Sequence, residues 1–269
     1  MYSDRNATPS AAQRRGSAGM HRRSSPRREN WAAGVSPPAA NLAVLGGTGR
    51  FGLGLAWRLA LGGARVVIGS RDGKRAEEAA ARVRKGLDAA GGVPDPAGGL
   101  PVSGATNRAA ARAADTVFLS VPFAGQEALL EELGSELDGK LVVCCGVLWP
   151  PGSRPETSAA EEAERVLRQA GAGKVRMAAA FQTVAAGLLR LPPGAAGAEP
   201  APDILVFADG TADRETAARL AELTGLRAVP VGPLRKSRAA EAALGLLLEL
   251  NRGPARHAGL RVTGLTQRA

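Results

Sequence analysis

The 269-residue chain is almost without histidine, tyrosine and cysteine. Its one tyrosine is Tyr2, which excludes a short-chain dehydrogenase built on a tyrosine proton donor. The two histidines are His21 and His257, so any Ser-His-Asp or Cys-His site would rest on His257 alone. The two cysteines, Cys144 and Cys145, are neighbours. On a strand they point to opposite faces, which makes a poor disulfide. Two cysteines and one usable histidine do not build a structural zinc site, and no metal is expected. A reduced, cytoplasmic setting fits best. No apolar run approaches the roughly 18 residues of a membrane span. Arg14-Arg15 and Arg22-Arg23 are not followed by an apolar stretch, so no secretion signal is read.

Apolar residues make up 45% of the chain, enough for a sizeable core. The net charge of +10 is uneven, because residues 1–40 hold seven Arg against two acidic residues. The body is therefore only mildly basic, and nucleic acid is an unlikely partner. Residues 1–40, rich in Arg, Ser, Ala and Pro, read as a disordered basic tail. Met20 offers an alternative start, and a nucleic-acid- or membrane-touching arm is the competing reading of the tail.

Order begins at the apolar run Asn41–Leu45, a buried strand. A helix follows through Leu53, Ala56, Trp57 and Ala60, ended by Gly62-Gly63. Arg65–Ile68 is a second strand, and Gly73–Ala90 a helix with Glu and Arg or Lys alternating on its wet face. After a loop over 91–101 come a brief strand at Val102-Ser103 and an Ala-rich helix capped by Asn107. Thr116–Val121 is a strand, Phe123–Leu133 a helix and Lys140–Cys145 a strand. A Pro-rich loop leads to Ser158, which with Glu161 and Glu162 starts a helix to about Gly171. Val175–Phe181 is a sixth strand. A loop over 191–202 precedes a strand at Asp203–Ala208, a helix at Asp213–Leu223, a strand at Arg227–Val231 and a helix at Ser237–Leu250. This alternation predicts a Rossmann-type, doubly wound parallel α/β sheet over 41–174, with a smaller C-terminal α/β lobe over 175–269.

Gly47-Thr48-Gly49-Arg50-Phe51-Gly52 is G-x-G-x-x-G between a predicted strand and a predicted helix, the context in which the motif carries weight. Gly47 is expected to make the tight turn. Gly49 lets the backbone approach a pyrophosphate, and Gly52 lets the helix pack on the strand. The helix start then holds the phosphates. An NAD enzyme places Asp or Glu at the end of the next strand. This chain has Ile68-Gly69-Ser70-Arg71, with Lys74 and Arg75 a turn later. A hydroxyl and a guanidinium suit a 2′-phosphate, so the cofactor reads as NADP(H).

The stretch GGTGRFGLGLAWRLALGGARVVIGSR, with FLSVPFAGQ, AAFQTVAA and VGPLRKSRAAEAALGLLLELNR in the same order, resembles the NADPH-dependent reductases of the deazaflavin coenzyme F-420. The stretches span residues 42 to about 252. The resemblance implies direct hydride exchange between NADP(H) and the deazaflavin, with no acid–base residue. It implies that Thr48, Ser70 and Arg71 hold the 2′-phosphate and that Ser120, Val121 and Pro122 line the nicotinamide. Phe181, Gln182 and Thr183 would lie where the two rings meet. Many family members have His where this chain has Gln182. The Cys144–Trp149 stretch also departs from the pattern, and Trp149 is a candidate to stack on a ligand. The basic lobe would attract the coenzyme's anionic tail through Arg235, Lys236 and Arg238 beside Ser237. Glu241 reads as a carboxylate favouring the start of its own helix. The resemblance and the apolar face Ala239, Ala242, Ala243, Leu246, Leu247, Leu250 suggest a homodimer, although the same pattern would pack internally. Two alternatives stay open. One is an NADP-dependent reductase of a quinone, flavin, ferric chelate or imine on the same scaffold. The other is a non-catalytic NADP(H)-sensing module.

Overall fold

The computed structural model describes residues 40–91, 100–195, 200–253 and 256–265. The predicted tail, most of the 91–101 loop and part of the 191–202 loop lie outside them. The described strands are β1 (Asn41–Leu45), β2 (Arg65–Ser70), β3 (Val102–Thr106), β4 (Thr116–Leu119), β5 (Leu141–Cys144), β6 (Arg176–Ala180), β7 (Ile204–Ala208) and β8 (Ala228–Gly232). The helices are α1 (Arg50–Leu61), α2 (Gly73–Ala89), α3 (Asn107–Ala113), α4 (Gln126–Leu133), α5 (Ala159–Gln169), α6 (Thr211–Glu222) and α7 (Ser237–Arg252).

The eight strands form one sheet in the order β3-β2-β1-β4-β5-β6-β7-β8. Every pairing from β3 through β6 is parallel. The order 3-2-1-4-5-6 is that of a dinucleotide-binding sheet. Along β1 the side chains alternate between two cores. Leu42 and Val44 join Leu55 and Leu59 of α1 and Ala76 and Val83 of α2. Ala43 and Leu45 join Ala110 of α3, Leu130 of α4 and Ala160 of α5. Helices therefore cover both faces, and the strands between them are apolar on both sides. Cys144 is fully buried, Cys145 is half-buried, and both are free thiols. Burial pushes the Cys144 thiol up to about 12.

The sheet is parallel except at one junction, which lies beyond the segment expected to form the parallel sheet. β7 pairs antiparallel to β6, and β8 runs parallel to β7. The physical reason is the connection. Among the described residues between Ala180 and Ile204 no α-helix crosses over; their regular structure is a single 3-10 turn at Leu188–Arg190. The chain returns to the rim it left, and antiparallel pairing follows. The last two strands thus extend the same sheet. A second difference concerns α3. Its cap is Thr106, whose hydroxyl accepts the Ala109 N–H at 3.3 Å, and not Asn107. Ser158 caps α5 as expected, accepting the Glu161 N–H at 3.3 Å.

The 3-10 turn is tied to α1 by an arginine that the helical pattern alone did not single out. Arg58 is 2% exposed, and burial lowers its pKa to about 10. Its guanidinium donates to Thr224 O at 2.8 Å and to Leu188 O at 3.2 Å. One side chain on α1 thereby joins the β6–β7 connection to the end of α6. Replacing Arg58 by Ala leaves both carbonyls without this donor. It should lower unfolding stability by about 2–4 kcal/mol, read by urea denaturation. An unchanged midpoint would show that the arginine is not a tie.

Candidate functional site

The turn after β1 is set by close approach. Gly46 has φ +72°, and a Cβ there would lie 2.6 Å from Val121 Cγ2. The left-handed residue of the turn is therefore Gly46, one residue before the expected Gly47. Gly47 instead serves proximity. Its N–H donates to Gly69 O at 3.1 Å, and its Cβ would meet Val44 O at 2.7 Å. At Gly52 a Cβ would fall 2.6 Å from Gly47 Cα and 2.8 Å from Ser120 Oγ. Gly49 differs, because the nearest heavy atom to its Cβ position is Gly46 O at 3.7 Å. Gly49 is the N-cap of α1, supplies no side-chain cap, and no acidic residue stands in the first turn. Open backbone N–H groups and an uncompensated helix dipole fit a pyrophosphate. Thr48 is half-buried and Arg50 exposed at this turn.

The end of β2 presents Ser70, Arg71, Lys74 and Arg75. Ser70 is nearly buried, and its Oγ accepts the Asp72 N–H at 3.3 Å. Asp72 caps α2, accepting the Lys74 N–H at 2.8 Å and the Arg75 N–H at 3.4 Å. The carboxylate next to Arg71 is thus committed to a helix start, where it does not oppose a phosphate. Arg71, Lys74 and Arg75 are exposed around it. These residues fit the 2′-phosphate of NADP.

The carboxyl ends of β4, β5 and β6 form the neighbouring rim. Ser120 Oγ donates to Leu45 O at 2.7 Å. Val121 covers Gly46, and Pro122 is exposed. Gln126, which the sequence reading passed over, is buried and donates to Val121 O at 3.0 Å. Phe181 follows β6 with φ +77°, a region that bulky residues rarely enter. Its ring is held edge-on by Phe51 of α1 at 6.1 Å and by Phe118 of β4 at 6.3 Å. Gln182 is 4% exposed and donates from Nε2 to Cys144 O at 3.0 Å. Gln126 Oε1, Gln182 Oε1 and Thr183 Oγ1 are buried polar atoms without a partner among the described residues. Such groups are rare in interiors; the other three among the described residues are Trp57 Nε1, Arg58 Nε and Asn107 Oδ1, so the rim holds half of them.

The start of α7 is placed differently from the other site candidates. Arg235 and Lys236 are exposed. Ser237 is fully buried, its hydroxyl bonded to Ser158 Oγ at 2.9 Å. Arg238 forms a two-pronged ion pair with Glu161, at 2.7 and 2.5 Å. Glu241 turns away from the start of its own helix. It accepts the Ala159 N–H at the start of α5 at 2.8 Å and the Leu148 N–H at 2.9 Å. The carboxyl is 2% exposed, and burial pushes it up to about 7 against the pull of those two donors. His257 lies against Gly187.

The sequence profile of the family described as "NADP oxidoreductase coenzyme F420-dependent" matches residues 41–147. The chain is 39% identical to the "F420-dependent NADP reductase" of Methanothermobacter thermautotrophicus, over 84% of this chain and 96% of that one. It is 37% identical to the protein of the same name from Methanothermobacter marburgensis, over 84% of this chain and 99% of that one. A solved structure from Arthrobacter sp. FB24 shares the fold, with a TM-score of 0.63 and 23% identity, covering 82% of this chain and 98% of that chain. The glycine turn, the Ser70–Arg71 corner and the rim around Phe181 sit in a chain that aligns with nearly the whole length of these relatives, and it belongs to the F420-dependent NADP reductase family.

Proposed function

We propose that this chain exchanges a hydride between NADP(H) and the deazaflavin coenzyme F-420 across the rim formed by β4, β5 and β6. The observation that carries the reading is the pairing of an uncapped α1 start with an acid-free β2 end, in a member of this family. Backbone N–H groups at the start of α1, from Arg50 to Gly52, would hold the pyrophosphate beside the close turn of Gly47 and Gly49, and Thr48, Ser70 and Arg71 the 2′-phosphate. Arg71 supplies the geometry and charge for that group, with Lys74 and Arg75 adding field. When bound, NADPH supplies the hydride. Ser120, Val121 and Pro122 would line the nicotinamide, and Phe181, Gln182 and Thr183 would lie near where the two rings meet. Their task is proximity and orientation; the negative charge that hydride arrival leaves on the deazaflavin's pyrimidine edge would be met by backbone N–H groups or a cation and protonated from solvent, so no dedicated proton-transfer side chain is needed.

Residues 175–269 complete the deazaflavin side of the cleft in this reading. Arg235 and Lys236 supply attraction for an anionic tail. Arg238 is already neutralised by Glu161 and contributes less to that attraction. Among the described residues no helix is long and apolar enough to cross a membrane. Free thiols accord with a cytoplasmic site of action. Leu246 and Leu250 of α7 are 72% and 55% exposed, and a second copy covering them would make a homodimer.

Three measurements follow. NADPH mixed with oxidised F-420 and the protein should bleach the visible deazaflavin band, while NADH should not. Absence of bleaching, with NADPH binding intact, would remove the deazaflavin. Arg71→Ala should weaken NADPH binding by about 1.5–3 kcal/mol, roughly 10- to 150-fold, with NADH binding unchanged; equal affinity would refute the 2′-phosphate assignment. A dimer should appear in sedimentation, and Leu246→Glu with Leu250→Glu should convert it to monomer.

A further inference from the structure

The segment leaving β5 is anchored at its root to the proposed rim. The Cys145 N–H donates to Leu119 O at 3.0 Å, and Cys144 O accepts from Gln182. Gly146 lies against Gln126, where an added Cβ would be 2.2 Å from Nε2. Beyond Leu148 the chain makes an excursion through Trp149, Pro150, Pro151 and Arg154 before α5 begins at Ala159. Its inner side faces α7, with Gly152 beside Ala242 and Pro151 beside Gly245. A cavity of about 220 Å³ separates the two, lined among others by Leu148, Arg154, Thr157 and Ala239. Both ends of the excursion are gripped by one group. Leu148 N–H and Ala159 N–H donate to the two oxygens of Glu241, at 2.9 and 2.8 Å.

We infer that Glu241 is a positioning residue for the second substrate: its carboxylate clasps both ends of the Trp149 excursion and thereby fixes the wall that meets the deazaflavin, leaving the NADP(H) site untouched. This rests on the hydride-exchange reading above. Closing the excursion at both ends removes loop freedom that a bound ligand would otherwise have to quench. Trp149, 67% exposed and one residue beyond the clasped Leu148, is the side chain so presented. No other side chain donates to this carboxylate among the described hydrogen bonds, so its grip is on the main chain alone.

Protonation changes the clasp. A carboxylate offers both oxygens as acceptors, whereas a carboxylic acid keeps one good acceptor and gains a donor. The charged groups around it are Glu161 of α5, held by Arg238 of α7, with Arg154 across the cavity. Glu156 of the excursion acts on Arg238, and Cys144 of β5 lies within electrostatic reach. Glu161 raises the proton affinity of Glu241, adding to burial. The ionised, fully gripping form therefore dominates above about pH 7 and is lost below it.

The test compares the full chain with Glu241→Gln, which keeps the shape and one acceptor, and with Trp149→Ala. Backbone hydrogen exchange over residues 145–160, corrected for intrinsic rates, reads the clasp directly. In Glu241→Gln these amides should exchange at least 10-fold faster. KM for F-420 should rise about 5- to 10-fold, and KM for NADPH should stay within 2-fold. In the unaltered chain, protection of the segment should fall between pH 8 and pH 6; in Glu241→Gln it should be flat. Trp149→Ala should raise KM for F-420 while leaving exchange over 145–160 slow, and this variant carries the test if Glu241→Gln does not fold. An unchanged KM for F-420 in either folded variant, or an equal rise in both KM values, overturns the inference. If the unaltered chain does not oxidise NADPH with F-420, the functional reading itself has failed. Exchange then still decides whether Glu241 is the clasp.

Discussion

Everything at the nucleotide end depends on how near α1 comes to the strands beneath it. Gly52 presses toward Gly47 and Ser120, and Gly46 toward Val121. At each contact there is room for hydrogen and none for a methyl group. That closeness lets Ser120 reach Leu45 O and fixes the level at which β4 ends. It also brings Phe51, in the first turn of α1, into edge contact with Phe181 at the end of β6. The helix start, the β4 rim and the β6 rim are thus set by one packing constraint. In the proposed reading one helix would place both the phosphates and the rings, and hydride transfer needs that orientation fixed.

Much of this was legible in the sequence. The strand–turn–helix context, the acid-free end of β2 and the glycine spacing all depend on local chemistry, and local chemistry is written in adjacent residues. The antiparallel β6–β7 step was not legible, because it follows from a long Ala-, Gly- and Pro-rich connection with no crossover helix among its described residues. The shift of the left-handed turn residue from Gly47 to Gly46 also escaped, since Leu45-Gly46-Gly47 offers two glycines and only the contact with Val121 decides between them. Asn107 and Thr106 are both good cap residues, and register chose Thr106.

Arg58 and Glu241 show a further limit. Each is a charged residue on a helix whose composition would allow it to face water. Each is instead buried and held by main-chain groups of distant segments. Such partners have no sequence signature, because every residue carries a carbonyl and nearly every residue an N–H. The two charges work in opposite senses. Arg58 gathers carbonyls at the α1 flank of the sheet, and Glu241 gathers N–H groups at the α5–α7 flank. For Glu241, a proton affinity raised above the ordinary carboxylate range means that the neutral acid favours the folded state. That contribution is present below the ordinary carboxylate pKa and is lost as the pH rises through about 7. The form that grips two amides is therefore the form the global fold favours less.

The reversal between β6 and β7 has a consequence for how the protein can vary. Because β7 and β8 run opposite to the six strands before them, the turn after β7, with Asp209 accepting the Leu234 N–H, opens at the far end of the sheet. The long connection from Phe181 to Asp203 begins and ends at the near end. By holding Leu234, that turn also sets where Arg235 and Lys236 stand at the start of α7, so its length is tied to the proposed deazaflavin side no less than the connection that begins at Phe181.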